Sequence, residues 1–370
     1  MRELVIDLDA IAGNLHTMRA GSVGAKVMGV VKANAYGHGM VAVAKRLEAE
    51  GVDYLGVADI GEALELRAAG IKAPVLAWLH DPNETFVDAV RHDIELGVAT
   101  IAQLESVAAA AKSLGSVAAV HLKVDTGLGR NGATLHEWPA LVAEARDLCE
   151  AGLINVVGVF SHLSVTSAID DLAQIEKFDG AVEQARNLGL EFEMRHLLAS
   201  DGAILYPQAC YEMVRIGIAL YGFSPFIEHS ADEYGLRTAM TAKSVVAQTK
   251  RVPAGHGVSY GYLHRTDGES TLALIPVGYA EGLPRDATGA AQVSIRGRRY
   301  TILARIAMDQ FVIDCGDDEV EVGDEVILFG DPSLDLPSAD SWARAVGTIN
   351  YEIVTRMGGR FKRRYLGEVQ

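Results

Sequence analysis

Eight short runs of apolar, β-favouring residues recur between residues 26 and 220, and helical patterns stand between most of them. The runs are Lys26–Val31, Tyr54–Ala58, Pro74–Trp78, Glu95–Val98, Val120–Val124, Val156–Phe160, Arg195–Ala199 and Met213–Leu220. The helical patterns are Met40–Glu48, Ile60–Ala69, Asn83–Arg91, Gln103–Leu114, Trp138–Ala151 and Leu172–Leu188. Strands that alternate with helices predict parallel β-α units, and eight such units favour a closed (β/α)8 barrel, the TIM barrel. Because the Glu95 and Arg195 runs are the weakest, a doubly wound open sheet is the alternative.

The pattern changes after Gly222. Glu228–Leu236 is polar and predicts a linker, and short strands interrupted by glycine follow it. These strands are Ala242–Val252, Thr271–Val277, Ala291–Ile295, Thr301–Ile306, Phe311–Asp314 and Glu325–Phe329. Since helical crossovers are lacking here, we predict an antiparallel β domain with one helix around Gly347–Met357. The expected division is a barrel over residues 8–235 and a C-terminal β domain over residues 236–370, which the N-terminal strand at residues 1–7 joins.

The composition excludes several classes of function. A chain of 370 residues with 49% hydrophobic and 22% charged residues is typical of a soluble globular protein. Its net charge of −16 argues against nucleic acid as a partner, and the basic run Arg360–Arg364 is expected to be a solvated face. The cysteines Cys149, Cys210 and Cys315 are widely spaced, which predicts neither disulfides nor a metal site. With no signal peptide and no apolar stretch long enough for a bilayer, we expect a cytoplasmic protein without membrane contact.

A lysine follows the first apolar run, in the stretch Val30-Val31-Lys32-Ala33-Asn34-Ala35-Tyr36-Gly37-His38-Gly39. Removing an ammonium group from water is costly and lowers its pKa. A neutral amine can attack an aldehyde, which makes Lys32 a candidate for Schiff-base chemistry. An isolated lysine in such a position more often extends its amine to solvent.

Other polar side chains follow later strands, and in a parallel barrel the carboxyl ends of all strands meet at one rim. Arg130 ends a glycine-rich loop, and His162 follows the sixth run. Ser200, with the backbone around Gly217 and Ile218, predicts a phosphate site, although Ser200 could equally cap a helix. Arg215 lies inside an apolar run, where a buried guanidinium needs a partner such as an ion pair.

The second domain contributes tyrosines in glycine-rich segments. Tyr260 lies in Gly257-Val258-Ser259-Tyr260-Gly261, Tyr279 follows Val277-Gly278, and Met308 precedes Asp309. Tyr351 lies in the predicted C-terminal helix. Taken singly, each of these residues is more typical of packing or of an interface.

Together and in this order, these motifs resemble those of the alanine racemases, which are enzymes that use pyridoxal 5'-phosphate (PLP) on a TIM barrel followed by a β domain. The resemblance covers nearly the whole chain. It implies that the chain interconverts L-alanine and D-alanine and supplies D-alanine for peptidoglycan. It also implies a small amino-acid substrate and a homodimer whose active sites are shared between the two subunits.

The resemblance implies roles for individual residues. Lys32 would carry PLP, and Lys32 and Tyr260 would be the two bases. The residues implied to contact the cofactor are Lys32, Tyr36, Arg130, His162, Ser200, Arg215, Gly217, Ile218 and Tyr351. Those implied at the substrate are Arg130, Met308 and Asp309, with Tyr279 at the access channel. Lys123 matches a lysine that is often carbamylated and that would hold Arg130 in place.

The sequence departs from the family pattern in three places. Ala307 stands where a cysteine often does, Glu281 replaces an aspartate, and the stretch Ser161-His162-Leu163-Ser164-Val165 is less typical around its histidine. The alternatives are a racemase of another small amino acid such as serine, a PLP decarboxylase of the same architecture, and a non-catalytic PLP carrier. A decarboxylase would require an acidic partner at the pyridine nitrogen, where the resemblance places Arg215. The carrier is a lone barrel and would not need Tyr260, Met308 and Asp309.

Overall fold

A computed structural model describes residues 1–22 and 24–368, and it divides into two compact units. The barrel unit comprises Leu15–Ala33 and Val43–Leu220. The β unit comprises Met1–Asn14, Asn34–Ala42 and Tyr221–Gln370. The division at residues 235 and 236 stays a prediction. Within the described residues, none of the helices combines the length and the hydropathy needed to cross a bilayer.

The strands and helices follow one another along the chain with short connections. The strands are β1 (Glu3–Asp7), β2 (Lys26–Val30), β3 (Tyr54–Val57), β4 (Val75–Ala77), β5 (Ile94–Val98), β6 (Ala118–Lys123), β7 (Ile154–Phe160), β8 (Met194–His196), β9 (Met213–Ile216), β10 (Met240–Val245), β11 (Gln248–Val252), β12 (Gly257–Val258), β13 (His264–Arg265), β14 (Ser270–Ile275), β15 (Gln292–Ile295), β16 (Arg298–Thr301), β17 (Phe311–Asp314), β18 (Glu325–Phe329) and β19 (Lys362–Leu366). The helices are α1 (Leu8–Gly21), α2 (Lys32–Tyr36), α3 (Met40–Ala49), α4 (Ile60–Ala68), α5 (Val87–Arg91), α6 (Ile101–Leu114), α7 (Trp138–Glu150), α8 (Ala168–Asn187), α9 (Ser200–Leu205), α10 (Ala339–Val346) and α11 (Asn350–Arg356).

Strands β2 to β9 form one parallel eight-stranded sheet in the order β8-β7-β6-β5-β4-β3-β2-β9. The two outer strands meet, because the backbone N–H of Arg215 in β9 donates to the carbonyl of Leu198 just after β8, at 3.0 Å. The sheet is therefore a nearly closed barrel, as predicted, and not an open doubly wound sheet. The two weakest predicted runs are strands β5 and β8 of this barrel.

Some predicted boundaries in the barrel unit were wrong. The last predicted strand ends at Ile216, and Ile218–Tyr221 is a 3₁₀ turn. Helix α8 begins at Ala168, four residues before the prediction, because the Ser167 hydroxyl accepts the Asp170 N–H at 3.1 Å and caps it. At the amino end of the barrel, Met28, Leu76, Val157, Met194 and Met213 pack into a buried apolar layer with Tyr54.

The β unit contains a six-stranded sheet in the order β16-β15-β18-β10-β1-β19, a three-stranded sheet and a two-stranded hairpin. All of its pairs are antiparallel except β1 with β19. The sequence had predicted the Ala242–Val252 run as one strand, but it is the two strands β10 and β11. The predicted linker Glu228–Leu236 contains a 3₁₀ turn over Ala231–Tyr234. Strand β19 contains most of the basic run, of which Lys362 and Arg364 are exposed as expected, whereas Arg363 is half-buried and its Nε donates to the Gly37 carbonyl at 2.8 Å.

The segment after Lys32 has an unusual backbone. The φ angles of Ala33, Asn34, Ala35 and Tyr36 are 53°, 54°, 54° and 52°, so this turn is a left-handed helix. Left-handed backbone costs an L-residue about 1–2 kcal/mol, so contacts outside the turn must hold it. Asn34 provides two of them, since its side-chain oxygen accepts the Met40 N–H at 2.8 Å and its carbonyl accepts the Gly39 N–H at 2.9 Å.

His38 holds the far end of this turn. Its ring is fully buried and stacks on Tyr221 with centroids 4.4 Å apart. Its Nδ1 lies 3.0 Å from the Ala35 carbonyl and 3.1 Å from the Tyr36 carbonyl, so Nδ1 carries the proton and donates. Burial lowers the pKa of His38 from 6.5 to about 3, which keeps the ring neutral.

The neutral, buried His38 predicts a dependence of stability on pH. Because the folded pKa lies below the unfolded one, His38 favours the folded state fully above pH 6.5 and progressively less as the pH falls toward 3. Urea unfolding of His38→Asn, which retains an N–H donor but does not titrate, should show a weaker dependence between pH 6 and 4. The difference should approach one proton, or about 1.4 kcal/mol per pH unit. His136→Asn, which removes an exposed histidine, is the control, and equal slopes for His38→Asn and wild type would contradict the role of His38.

Candidate active site

Lys32 extends a half-buried amine at the carboxyl end of β2. Its Nζ lies 5.8 Å from the centre of the Trp78 ring and has no hydrogen-bond acceptor among the described residues. The Glu62 carboxylate, whose charge acts on Lys32, is engaged by the backbone N–H groups of Ala33 at 2.6 Å and Ala58 at 2.9 Å. Burial lowers the pKa of Lys32, and the positive charges of Arg130 and Arg215 lower it further. This shift increases the fraction of the amine that is neutral and nucleophilic.

Lys123 and Arg130 flank the loop that follows β6. Lys123 is 7% exposed, with Nζ 5.3 Å from the centre of the Phe160 ring. Burial, together with the charges of Arg215 and Arg130, lowers the pKa of Lys123 to about 8. The Asp125 carboxylate fixes the loop by accepting the N–H groups of Gly127 at 2.9 Å and Gly129 at 3.2 Å. Arg130 at the end of this loop is exposed.

Arg215 is buried among neutral acceptors and not in the ion pair that the sequence allowed. Its Nη1 donates to the His196 carbonyl at 2.7 Å, and its Nη2 donates to the carbonyls of Ser161 at 2.7 Å and Leu197 at 2.9 Å. Its Nε–H has no acceptor within the part of the chain that the structure describes. Burial lowers the pKa of Arg215 to about 10, so the group stays a cation at neutral pH. Such a cation donates hydrogen bonds but does not give up its proton.

His162 lies beside this guanidinium, with Nδ1 3.0 Å from Arg215 Nη2. Since arginine can only donate, Nδ1 must accept. Burial and the charges of Arg215, Arg130 and the two lysines lower the pKa of His162 to about 2. His162 is therefore a neutral ring at the same rim, and it adds no positive charge.

Ser200 joins the loops that follow β8 and β9. Its hydroxyl oxygen accepts the N–H of Gly217 at 3.0 Å and lies 3.4 Å from the N–H of Ala219. The suggestion that Ser200 caps a helix was wrong, because Ala199 occupies the cap and Ser200 is the first residue of α9. The hydroxyl proton of Ser200 is thus left to donate, beside backbone N–H groups from Gly217 to Ala219. Ile218 is buried in the same turn.

Tyr260 lies at the tip of the β12–β13 hairpin of the β unit and is 69% exposed. Ser259 and Tyr262 on either side have φ angles of 57° and 44°, so the tip is strained at these two residues. The Ser259 hydroxyl, which donates to the Arg305 carbonyl at 2.7 Å, holds one side. His264 Nε2, which lies 2.6 Å from the Asp314 carboxylate, holds the other.

Tyr279, Met308 and Asp309 occupy neighbouring loops of the β unit. The Tyr279 N–H donates to the Ala307 carbonyl at 3.2 Å, and the Ala280 N–H donates to the Met308 carbonyl at 3.0 Å. Arg360 donates to the fully buried Glu281 and, at 2.7 Å, to Asp309. Glu281 therefore anchors this loop from inside and is not exposed.

Tyr36 and Tyr351 lie together elsewhere in the β unit. Their ring centroids are 6.1 Å apart, and Tyr36 also packs on Tyr221 at 4.9 Å. Tyr351 is the second residue of α11.

Within the barrel unit, the structure brings Lys32, Lys123, Arg130, His162, Ser200, Arg215, Gly217 and Ile218 to the carboxyl ends of the strands. Four of them are cations, an arrangement that suits an anionic ligand. Sequence reasoning missed Trp78 beside Lys32, His196 beside Arg215 and Arg360 beside Asp309. Trp78 and His196 could have been found as the polar or aromatic ends of their strands, whereas Arg360 gave no signal beyond its charge.

The comparisons with known proteins agree along the whole chain. The family model described as alanine racemase, N-terminal domain, matches residues 6–225, and the one for the C-terminal domain matches residues 239–365. The alanine racemase of Salinispora tropica is 48% identical over 373 residues, which is 99% of this chain and 98% of that protein. The alanine racemase of Thermobifida fusca is 47% identical over 371 residues, with 100% and 99% covered.

The solved structures give the same result. The crystal structure of alanine racemase from Streptomyces lavendulae has a TM-score of 0.98 and 42% sequence identity, and the match covers 100% of this chain and 97% of that one. Both domains, their order and nearly the full length are thus shared. The chain belongs to the alanine racemase family.

Proposed function

We propose that this chain interconverts L-alanine and D-alanine with PLP as its cofactor, and so supplies D-alanine for peptidoglycan. The observation that carries the proposal is the half-buried Lys32 amine, whose pKa is lowered and which has no acceptor among the described residues. A lowered pKa makes an amine more readily available as a nucleophile. Family membership supports the cofactor and the substrate.

The residues present fit PLP. The cofactor carries an aldehyde, a phosphate dianion, a phenolic oxygen and a ring nitrogen, and this chain offers a partner for each. The amine of Lys32 suits the aldehyde, and the unengaged Nε–H of Arg215 suits the ring nitrogen. Arg130 suits the phenolic oxygen, and His162 presents a neutral ring. The groups proposed for the phosphate are Tyr36, Ser200, Gly217, Ile218 and Tyr351.

When bound, PLP withdraws electrons from the amino acid and acidifies its Cα–H. The chain's own residues then move the proton. Lys32 Nζ takes or returns it on one face of Cα, and Tyr260 Oη does the same on the other face. Arg130 binds the substrate carboxylate, with Met308 and Asp309 near it, so that Cα lies between these bases, and Tyr279 lines the access channel.

Arg215 determines which reaction follows. Because it remains a cation and can only donate, it leaves the ring nitrogen without a proton. Arg215 would thereby make the bound cofactor a weaker electron sink, which would favour return of the proton to Cα. A decarboxylase of this architecture would need an acid in this position, which Arg215 occupies, and among the described residues the hydrogen-bond partners of Arg215 are carbonyls and histidines.

Lys123 is proposed to be carbamylated. Its buried amine, with a pKa of about 8, is partly neutral at physiological pH and can add CO2 with release of one proton. The product is an anion beside Arg130, which would hold that guanidinium in place.

We further propose a cytoplasmic homodimer with shared sites. Tyr260, Tyr262, Leu263 and Met308 are all exposed on the β unit. Large apolar side chains grouped in this way mark an interaction surface, and a second copy of the chain is the partner that family membership favours.

The main test is a racemisation assay on the purified protein supplied with PLP. L-alanine should be converted to an equal mixture of enantiomers, and L-serine much more slowly. Borohydride reduction and peptide mapping should place the pyridoxyl group on Lys32. Lys32→Ala should lose both activity and label, whereas Lys26→Ala, at the opposite end of the same strand, should keep both. Bound cofactor without racemisation would favour a carrier, and faster turnover of serine would change the substrate.

Arg215→Glu tests the control of the ring nitrogen. The variant should racemise at least about 100-fold more slowly, since an interaction worth several kcal/mol with the reacting system is lost. It should also transaminate more and absorb at longer wavelength. Arg215→Lys, which keeps a donor and the charge, is the control and should not gain transamination. An Arg215→Glu protein with an unchanged rate and spectrum would refute the role.

Mixed dimers test the shared site. Lys32→Ala and Tyr260→Phe proteins, each nearly inactive, are dissociated, mixed and reassembled. If each site takes Lys32 from one subunit and Tyr260 from the other, half of the sites in a mixed dimer contain both bases and activity returns. If mixed dimers are demonstrated and activity does not return, the two bases belong to the same subunit.

A further inference from the structure

A chain of hydrogen-bonded polar groups extends through the interior of the barrel unit behind Arg215. Arg215 Nη1 lies 3.1 Å from His196 Nδ1, and His196 Nε2 lies 2.9 Å from His121 Nδ1. His121 Nε2 in turn lies 2.7 Å from Glu95 Oε2. The Tyr54 hydroxyl, at 3.4 Å from Glu95 Oε1, is a weaker outer contact.

This series of hydrogen bonds connects the two ends of the barrel. His196 is the last residue of β8, at the carboxyl rim that carries Lys32. Glu95 is the second residue of β5, near the amino end of its strand, and its side chain is 15% exposed. Both histidines are fully buried. Of the four residues Arg215, His196, His121 and Glu95, Glu95 is the most exposed to solvent.

The barrel interior leaves space for this arrangement. A Cβ at Gly158 would lie 2.5 Å from His121 Nδ1, so a side chain there would displace the ring from its partner. Phe160 stacks on His196 with centroids 4.9 Å apart and a 3° interplanar angle, which fixes the plane of that ring.

The hydrogen-bond partners determine which ring nitrogen of each histidine carries the proton. Arginine can only donate, so His196 Nδ1 must accept, and a neutral His196 carries its proton on Nε2. That proton is donated to His121 Nδ1, so a neutral His121 carries its own proton on Nε2. The Glu95 carboxylate accepts it. If His121 took the opposite tautomer, His196 would have to turn an N–H toward Arg215, and two donors would face each other.

We propose that Glu95 is a positioning residue which, from the opposite end of the barrel, fixes the tautomer of His196 and thereby holds Arg215 in its working orientation. Glu95 does not touch cofactor or substrate, and it acts through His121 and His196. The functional part of the inference rests on the proposed racemase activity, whereas the tautomers are a property of the protein itself.

The tautomers can be read by NMR of the holoenzyme labelled with 15N-histidine, because protonated and unprotonated ring nitrogens differ in chemical shift. In the wild type, both His121 and His196 should carry the proton on Nε2, with His121→Phe used for assignment. A proton on Nδ1 of His196 in the wild type would overturn the proposal without any further variant.

Two substitutions of Glu95 distinguish the role of its hydrogen-bond acceptor from the role of its side-chain shape. Glu95→Met removes the acceptor at similar length, and both tautomers of His196 should then be populated. The kcat should fall about tenfold, equivalent to about 1.4 kcal/mol, with KM changed less than about twofold. Glu95→Gln can still accept the His121 proton through its amide oxygen, so it should restore the wild-type spectrum and rate. Tyr54→Phe removes only the weaker outer contact and should resemble the wild type.

Each result decides the matter. A normal His196 tautomer in Glu95→Met, or equal losses in Glu95→Gln and Glu95→Met, would refute the positioning role. Should Glu95→Met fail to fold, His121→Phe breaks the same chain nearer to Arg215 and should show the same loss of kcat, and a normal kcat would refute the proposal. If the wild type does not racemise alanine, the proposed function fails, and the NMR result still stands or falls separately.

Discussion

Burial and mutual repulsion act together on four basic side chains at the carboxyl rim of the barrel. Parallel strands that all end at one rim place Lys32, Lys123, Arg130 and Arg215 within reach of one another's charge. The neighbouring carboxylates of Glu62 and Asp125 do not cancel this charge fully, because both are engaged by backbone N–H groups. The repulsion is relieved in two ways, by loss of a proton from a lysine or by arrival of an anion. The clustered positive charge therefore contributes both to the nucleophilic amine, together with burial, and to the anion site.

The hydrogen bonds of Arg215 preserve the positive charge at the rim. A buried guanidinium is usually stabilised by an opposite charge, and such a partner would have neutralised the rim. Here the carbonyls of Ser161, His196 and Leu197 accept its protons instead. Neutral acceptors offset the cost of burial and leave the positive charge in place. The Asp201 carboxylate interacts with Arg215 through its charge, without an ion pair, and Glu95 lies two histidines away toward the other end of the barrel.

The sequence predicted the barrel because strand and helix patterns alternate, and it predicted β17 and β18 to the residue because each is a short apolar run. It located Lys32, Arg130 and Arg215 at the rim, since strand ends can be read from hydropathy. It missed β19, whose basic residues hide the strand pattern, and α10. It also missed the pairing of His121 with His196, which depends on the register of strands far apart in sequence. The turn after Lys32 contains no glycine until Gly37, so local preference pointed away from a left-handed helix.

That left-handed turn reverses a familiar rule of protein engineering. Replacing glycine by alanine usually raises thermal stability, because alanine restricts the unfolded chain. At Ala33 and Ala35 the native backbone is one that glycine adopts without penalty and alanine does not. At these two positions alanine lowers the stability of the fold, and it leaves the backbone next to the reactive lysine less freedom than glycine would. A search for thermostable variants of this protein would therefore find candidates by introducing glycine at these positions, with a looser Lys32 as the accompanying risk.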